Sequence, residues 1–500
     1  MSDTKQRKPW FRPRNVVLAV LAAVLVFFGW AFLEVWQVYT AEPNPAIDYR
    51  AKLRELAEYH AGVSSNHADE AWDFLVAAMN LADGIDSEVV LQPASTEFEP
   101  RDEYDQGSID FLRVICGRVV PSNVDRERRV IELMGERGVF RLLGRLANIG
   151  PGLRPVGPNR PLMADRIRPE YLKGQMLAKA RVASMRLASA AGDFNEAAAA
   201  VDETLALSHT MASQGMLISY LVGRAIEQLT LGELRHELLE AEFSEASCRQ
   251  ILVSLQRHTL PPIELPLEGE RLYSYDTIQW SFTDDGSGNG YLVSSLIEYI
   301  TPTFPEPEQT FFGATKSRFF WPARAEIMKL TDQVVDASLA RAQLRPSIRS
   351  NVARETMPLT SGYPKGYESV GMLGDSLLQF VDVEPRSSVL REGTRVLVAL
   401  ELFYAQHARW PQALDELVPD ILPNVPVDPL HGGPFGYRLV DNDRFGRPYI
   451  LYSFGLDATD DGGIEFNSGT NDVYRGIEPL TDYNLTGVDY VINKPRPVEW

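Results

Sequence analysis

Residues 16–33 form an apolar run with no charged side chain, and no later segment is as long and as apolar. As a helix the run is about 27 Å long, near the hydrocarbon thickness of a bilayer. Lys5, Arg7, Lys8, Arg12 and Arg14 precede it, and Trp30 and Trp36 stand at its far end. Basic flanks stay on the cytoplasmic side, and aromatic residues sit at the interfaces. The pattern predicts a cytoplasmic basic segment over 1–14, a transmembrane helix over 15–37 and an extracytoplasmic remainder. A cleaved signal peptide is the competing reading. It requires a shorter apolar region and a small-x-small site, whereas "VYTAEP" offers Ala41 with Tyr39 two places earlier.

Beyond a polar linker the period becomes helical. "PNPAIDYRAKLRELAEYH" places Ile47, Leu53, Leu56 and Ala57 on one stripe, and "ADEAWDFLVAAMNLAD" does so with Trp72, Leu75, Met79 and Leu81. "DRERRVIELMGERGVFRLLGRL" reads as a third, amphipathic helical stretch, and the proline-rich residues 151–169 as a structured loop. The clearest helical block spans 170–256 within a helical ectodomain of 45–350. It is rich in Ala, Leu and Glu and is broken at Gly192-Asp193, where Gly can end one helix and Asp can cap the next. Ser244 is placed to cap another helix. "GDFNEA" followed by a close-packing Ala197 resembles a tetratricopeptide unit; a plain helical-hairpin bundle fits the same pattern. "TLPPIELP" closes that block, residues 267–282 read as a helix, and "DDGSGNGY" as a turn rather than a closed calcium loop, because Leu296 stands where an EF-hand places its bidentate Glu.

The character changes over 385–475. An amphipathic helix at about 389–408 carries Val396, Leu400 and Phe403 on one stripe. "RWPQALDELVPDILP" gives a turn and a short helix, and "DPLHGGPFGYRLV" and "RPYILYSFG" read as strands of a hairpin. The acidic loop "LDATDDGG" follows, and residues 476–500 read as a tail.

This order and wording resemble the globular head of the major pseudopilin of type II secretion systems. Tyr404, Trp410-Pro411, Leu414, Leu417, Pro426, Asp428-Pro429, Gly433-Pro434, Tyr437, Tyr449, Leu451, Ser453, Gly455 and Asp457 fall on its spaced motifs. The resemblance implies a small α+β domain whose acidic loop binds a structural calcium ion. It carries Asp457 over as a ligand, with Asn471 and Asp472 closing the site and Ser453, Asp460 and Asp461 beside it. The anchor has none of the family's processing signals, and the head is mounted on a helical ectodomain. The arrangement is also similar to uncharacterised bacterial membrane proteins. The fold class expected is therefore mainly α: a transmembrane helix, a helical-hairpin ectodomain (TPR-like or bundle) and a small pseudopilin-like α+β C-terminal domain.

Composition narrows the function. With 45% apolar residues the chain can bury ordinary cores. A net charge of −19 argues against nucleic acid as a partner and suits divalent cations. Cys116 and Cys248 lie far apart, and Cys116 in its apolar run reads as a buried thiol. No zinc-ligand spacing, Walker loop, nucleophile elbow or dinucleotide fingerprint occurs. Independently of the resemblance, Asp457, Thr459 and Asp461 alternate before Gly462, as at the start of a calcium loop, although Ser468 stands at the closing position. A solvated turn held by its own side-chain-to-backbone bonds is the alternative. The reading that follows is a membrane-anchored, periplasmic scaffold or adaptor with a structural calcium site, partnering the membrane and other envelope proteins. A pseudopilus component is one alternative. An extracytoplasmic hydrolase using Asp428 and His431 is another.

Overall fold

The computed structural model describes residues 13–43, 45–85, 124–157, 162, 169–292, 311–349, 368–443, 445–464 and 489–495. The chain is mainly helical. Its helices are α1 (Pro13–Thr40), α2 (Tyr49–Ala61), α3 (Ser65–Ala82), α4 (Val124–Glu136), α5 (Val139–Ile149), α6 (Pro169–Ala190), α7 (Phe194–Ala212), α8 (Leu217–Glu240), α9 (Glu245–Arg257), α10 (Glu264–Ser281), α11 (Phe311–Phe320), α12 (Arg324–Ala342), α13 (Pro346–Arg349) and α14 (Glu368–His407). A short 3₁₀ helix, η1 (Leu414–Leu417), and strands β1 (Gly436–Leu439), β2 (Tyr449–Ser453) and β3 (Tyr490–Val491) follow. The chain divides into two units. One comprises Met1–Asp48, Ser274–Val334 and Leu359–Leu373; the other comprises Tyr49–Tyr273, Val335–Pro358 and Gly374–Trp500.

In the first unit, α1 is long and apolar enough to cross a bilayer, with a mean hydropathy of 1.8 over Val20–Thr40. Its apolar side chains between Val20 and Leu33 are largely exposed, as a lipid-facing helix requires and a soluble one avoids. The turn after α10 stays a turn: Asp285 accepts from the backbone N–H groups of Ser287 (2.9 Å) and Asn289 (3.2 Å), and Asp284 is paired with Arg324.

In the second unit the helices follow local signals closely. Gly192 ends α6 at φ 77°, and Asp193 caps α7 by accepting the Glu196 N–H at 3.1 Å. Ser244 caps α9 from the Ser247 N–H at 3.1 Å. Gly138, at φ 80°, breaks the third predicted stretch into α4 and α5, because an uninterrupted helix cannot hold a left-handed residue. Helix α7 is buried over almost its whole circumference and packs against α5, α6, α8 and α9. Small residues make that possible. A Cβ at Gly223 on α8 would stand 2.6 Å from the Ser208 carbonyl oxygen and 2.7 Å from the Ala212 nitrogen. Gly223→Ala is therefore expected to cost about 1–3 kcal/mol by forcing the α7–α8 crossing apart. Urea unfolding of the detergent-solubilised chain measures it; an unchanged midpoint would show that the crossing relaxes freely.

The compact units divide elsewhere than expected. A helical ectodomain ending near 350 and a separate domain from 385 are not what the packing shows. Cys248 and Ile251 of α9 and Leu231 and Leu234 of α8 share one core with Val396, Leu400 and Phe403 of α14, with Leu417 of η1 and with Tyr449 and Leu451 of β2. Residues Val396 to Leu400 are all buried, so the single predicted stripe is too narrow. A helix covered on two sides is apolar nearly all round. Buried charges add to this join. Glu227 of α8 accepts from Arg224 at 2.6 Å and from Arg391 of α14, and Arg391 also donates to the Leu255 carbonyl in the last turn of α9 and the His258 carbonyl just after it.

The sheet has the order β1-β2-β3, antiparallel throughout, with Gly436 opposite Tyr452 and Leu439 opposite Tyr449. Central strand β2 is buried at every position. Tyr449 and Leu451 face the helical core, while Ile450 and Tyr452 pack with Val491 on the other side. The predicted strand from 428 is shorter than expected: residues 428–433 form a turn closed by an isolated Val427–Pro434 bridge, and Gly436–Leu439 pairs with β2. The predicted tail is corrected at 490–493. Tyr490 and Val491 pair with β2, the Ile492 N–H donates to Leu451 O at 2.8 Å, and the Asn493 amide closes on Tyr449 O and Leu451 N.

Candidate functional site

The acidic loop leaves β2 through a tight turn. The Ser453 hydroxyl is buried and accepts the Gly455 N–H at 3.1 Å, and Gly455 sits at φ 71°. Asp457 accepts the Thr459 N–H at 3.1 Å, so its carboxylate closes an Asx turn. Asp460 accepts the Gly462 N–H and the Tyr452 hydroxyl, each at 2.9 Å. Gly462 and Gly463, at φ 76° and 75°, then turn the chain back under β2.

That turn brings in a carboxylate the sequence reading missed. Asp489, the residue before β3, is 5% exposed. Its Oδ2 accepts the Gly463 N–H at 2.7 Å, and its own N–H donates to Ile464 O at 2.9 Å. Burial pushes its carboxyl up to about 6, and the neighbouring Asp461 and Asp460 charges push the same way against backbone donors that oppose them. Asp461 Oδ2 and Asp489 Oδ1 are both buried and have no hydrogen-bond partner among the described residues. The structure thus gathers Asp460, Asp461 and Asp489, with Asp457 engaged in its own turn. Asn471 and Asp472 lie outside the described residues. Asp489 stands in "VDYVIN", whose β-branched and aromatic residues are a faint strand signal, too short to set it apart from a tail.

Among the described residues, no three His, Cys, Asp or Glu side chains already converge tightly enough to hold a metal ion. The donor chemistry nonetheless fits a hard cation: carboxylate oxygens, two of them orphaned, at a glycine turn. Calcium takes six to eight oxygens, so these carboxylates alone would leave positions for backbone carbonyls or water.

The Asp428–His431 pair belongs to a different arrangement. Asp428 is fully buried, its Oδ1 accepts the Leu430 N–H at 2.9 Å, and its backbone pairs with Gly433 O and Gly432 N at 2.8 Å. His431 Nδ1 accepts the Gly433 N–H at 3.2 Å, and Nε2 lies 3.1 Å from Asp428 Oδ2 without the alignment of a hydrogen bond. The imidazole stacks on Phe454 at 4.6 Å between centroids. The two side chains hold a closed turn together, and no hydroxyl or thiol bonds to His431 among the described residues. The motif tyrosine and tryptophan are likewise packing groups: Tyr404 stacks on Trp410 at 4.5 Å, and Trp410 lies 4.7 Å from Tyr449.

Two other perturbed groups are held inside the helical core. Glu203, raised by burial to about 7, receives Arg181 at 2.7 Å, and His209 is lowered by burial to about 3. No protein-family model matches this sequence, and no curated protein or solved structure matches it either.

Proposed function

We propose that this chain is a membrane-anchored extracytoplasmic scaffold whose acidic loop binds a structural divalent cation, calcium by its ligand chemistry. The orphaned pair Asp461 Oδ2 and Asp489 Oδ1 carries the reading. Buried carboxylate oxygens without donors are costly, and like charges crowded there raise the cost further. A cation removes both penalties. Asp460, Asp461 and Asp489 would hold it, and Asp457, Asn471 and Asp472 remain the further ligands implied by the pseudopilin resemblance. A bound ion would tie the glycine turn to β3 and so fix the edge of the sheet. The order α14, η1, β1, β2, acidic loop supports the same resemblance. The basic flank before α1 supports an N-terminus in the cytoplasm with the bulk of the chain outside it. The ion pairs that hold Glu203 to Arg181 and Glu227 to Arg224 and Arg391 inside the core support a scaffold, with other envelope proteins as the partners.

Calcium is expected to raise the unfolding midpoint of the full chain in detergent, since a ligand held only by the folded form stabilises it by about 2.7 kcal/mol at a hundredfold excess over Kd. Asp489→Asn is expected to abolish the calcium-dependent part of that shift while folding in chelator. A midpoint indifferent to millimolar calcium would overturn the cation site. The intact chain is the right sample, because the head shares its core with α8 and α9.

A further inference from the structure

We infer that α11 lies on the outer surface of the bilayer beside α1, giving the chain a second membrane contact of interfacial type. The inference rests on α1 being a transmembrane anchor. Both helices belong to the same unit. Val35 and Val38 of α1 are buried against Ala314 of α11. Arg318 Nε donates to Glu34 Oε2 at 2.9 Å, and its guanidinium lies over the Tyr291 ring at 4.5 Å. Trp30 and Phe319 meet with ring centroids 6.2 Å apart.

These contacts fix the depth of α11. They fall on α1 residues 30–38, where the apolar run gives way to Glu34 and to Trp30, Trp36 and Tyr39, the residue types that mark a membrane–water boundary. On α11, Ala314 and Ser317 face the protein and are fully buried or nearly so, whereas Phe319 is 40% and Phe320 74% exposed. The exposed rings continue the apolar surface of α1, which itself must lie in lipid if it spans. Lipid is therefore the occupant that covers both surfaces without a break. The position of Glu34 agrees independently: a carboxylate at the end of a span is costly alone, and α11 supplies its counter-charge from the side.

Spin labels on the full chain reconstituted in phosphatidylcholine vesicles test this. Phe320→Cys reports α11, Leu25→Cys reports the middle of α1, and Val253→Cys, on an exposed position of α9, reports water. The unsubstituted chain sets the background from Cys116 and Cys248; Cys248 is buried, with its thiol pushed up to about 12. The ratio of collisions with oxygen to collisions with a water-soluble nickel chelate is expected to be several-fold higher at Phe320 than at Val253, and lower than at Leu25. A ratio at Phe320 equal to that at Val253 would overturn the inference and leave the anchor standing. Shielding from both agents would also overturn it, since a second protein surface would then be the cover. A Leu25 label that behaves like Val253 would sink the anchor reading itself and the inference with it.

Discussion

Replacing Glu227 with alanine destabilises the second unit by about 3–5 kcal/mol, the usual cost of removing one partner from a buried ion pair. Glu227 is fully buried and neutralises two guanidinium groups at once. Arg224 keeps a second carboxylate, Glu384. Among the described residues Arg391 does not: with Glu227 gone, it keeps the Leu255 and His258 carbonyls alone to offset a charge buried among α8, α9 and α14. The loss is therefore the desolvated Arg391 cation more than the missing bond. Glu227→Leu combined with Arg391→Met should recover most of the stability, because well-packed apolar groups replace a buried pair at little or no net cost. Urea denaturation of the solubilised chain gives both values. Equal losses for the single and double variants would show that side-chain shape, not charge, holds the join. The pair also predicts acid sensitivity. Burial opposes the Glu227 charge but the two arginines outweigh it and lower its folded value, so its stabilising contribution is present above the unfolded carboxylate value and is lost as the pH falls below it.

This network marks the limit of what the sequence could show. Signals confined to a few neighbours were legible: the apolar span, the Gly192-Asp193 break, the Ser244 cap and the order from α14 to the acidic loop. Each is set by local backbone geometry or by side chains within a turn of one another. Features made by distant residues were hidden. Glu227 and Arg391 are separated by 164 positions, and nothing near either announces the other. The two-sided burial of Val396 to Leu400 was present as a dense apolar run, but a stripe was read because only one neighbour, the hairpin, was visible in sequence. Strand β3 has two residues, too short for an alternating pattern to separate it from a tail. Asp489 enters the site through that pairing, whereas the loop, Asn471 and Asp472 are what the sequence order alone points to. Crowding of Asp460 and Asp461 was legible; the third carboxylate beneath them was a fact of pairing.

Glu401→Gln should make the protein more stable in alkaline solution, by about 2–4 kcal/mol once the partial exposure of the residue is allowed for. Glu401 lies on α14, part-exposed as a whole residue, yet its Oε1 accepts the hydroxyl of Tyr449, which is buried, at 3.0 Å. Burial pushes its carboxyl up to about 8; the Tyr449 hydrogen bond opposes this in part, and the Glu242 charge adds to it. The folded value therefore lies above the unfolded one, and the folded state prefers the protonated acid. Its contribution is fully present below the unfolded value of about 4.5 and is lost as the pH rises through about 8. Glutamine carries no charge at any pH and still offers an oxygen to Tyr449. The stability gap between variant and parent should thus be small at pH 4, widen between about 4.5 and 8, and stay level above that. Glu203, also raised by burial, and His209, whose depressed value makes stability fall below its unfolded range, act equally in both proteins and cancel in the difference. Parallel curves of midpoint against pH would place the titrating group elsewhere. A gap that widens toward acid would mean that Glu401 is charged in the fold and that Tyr449 binds a carboxylate.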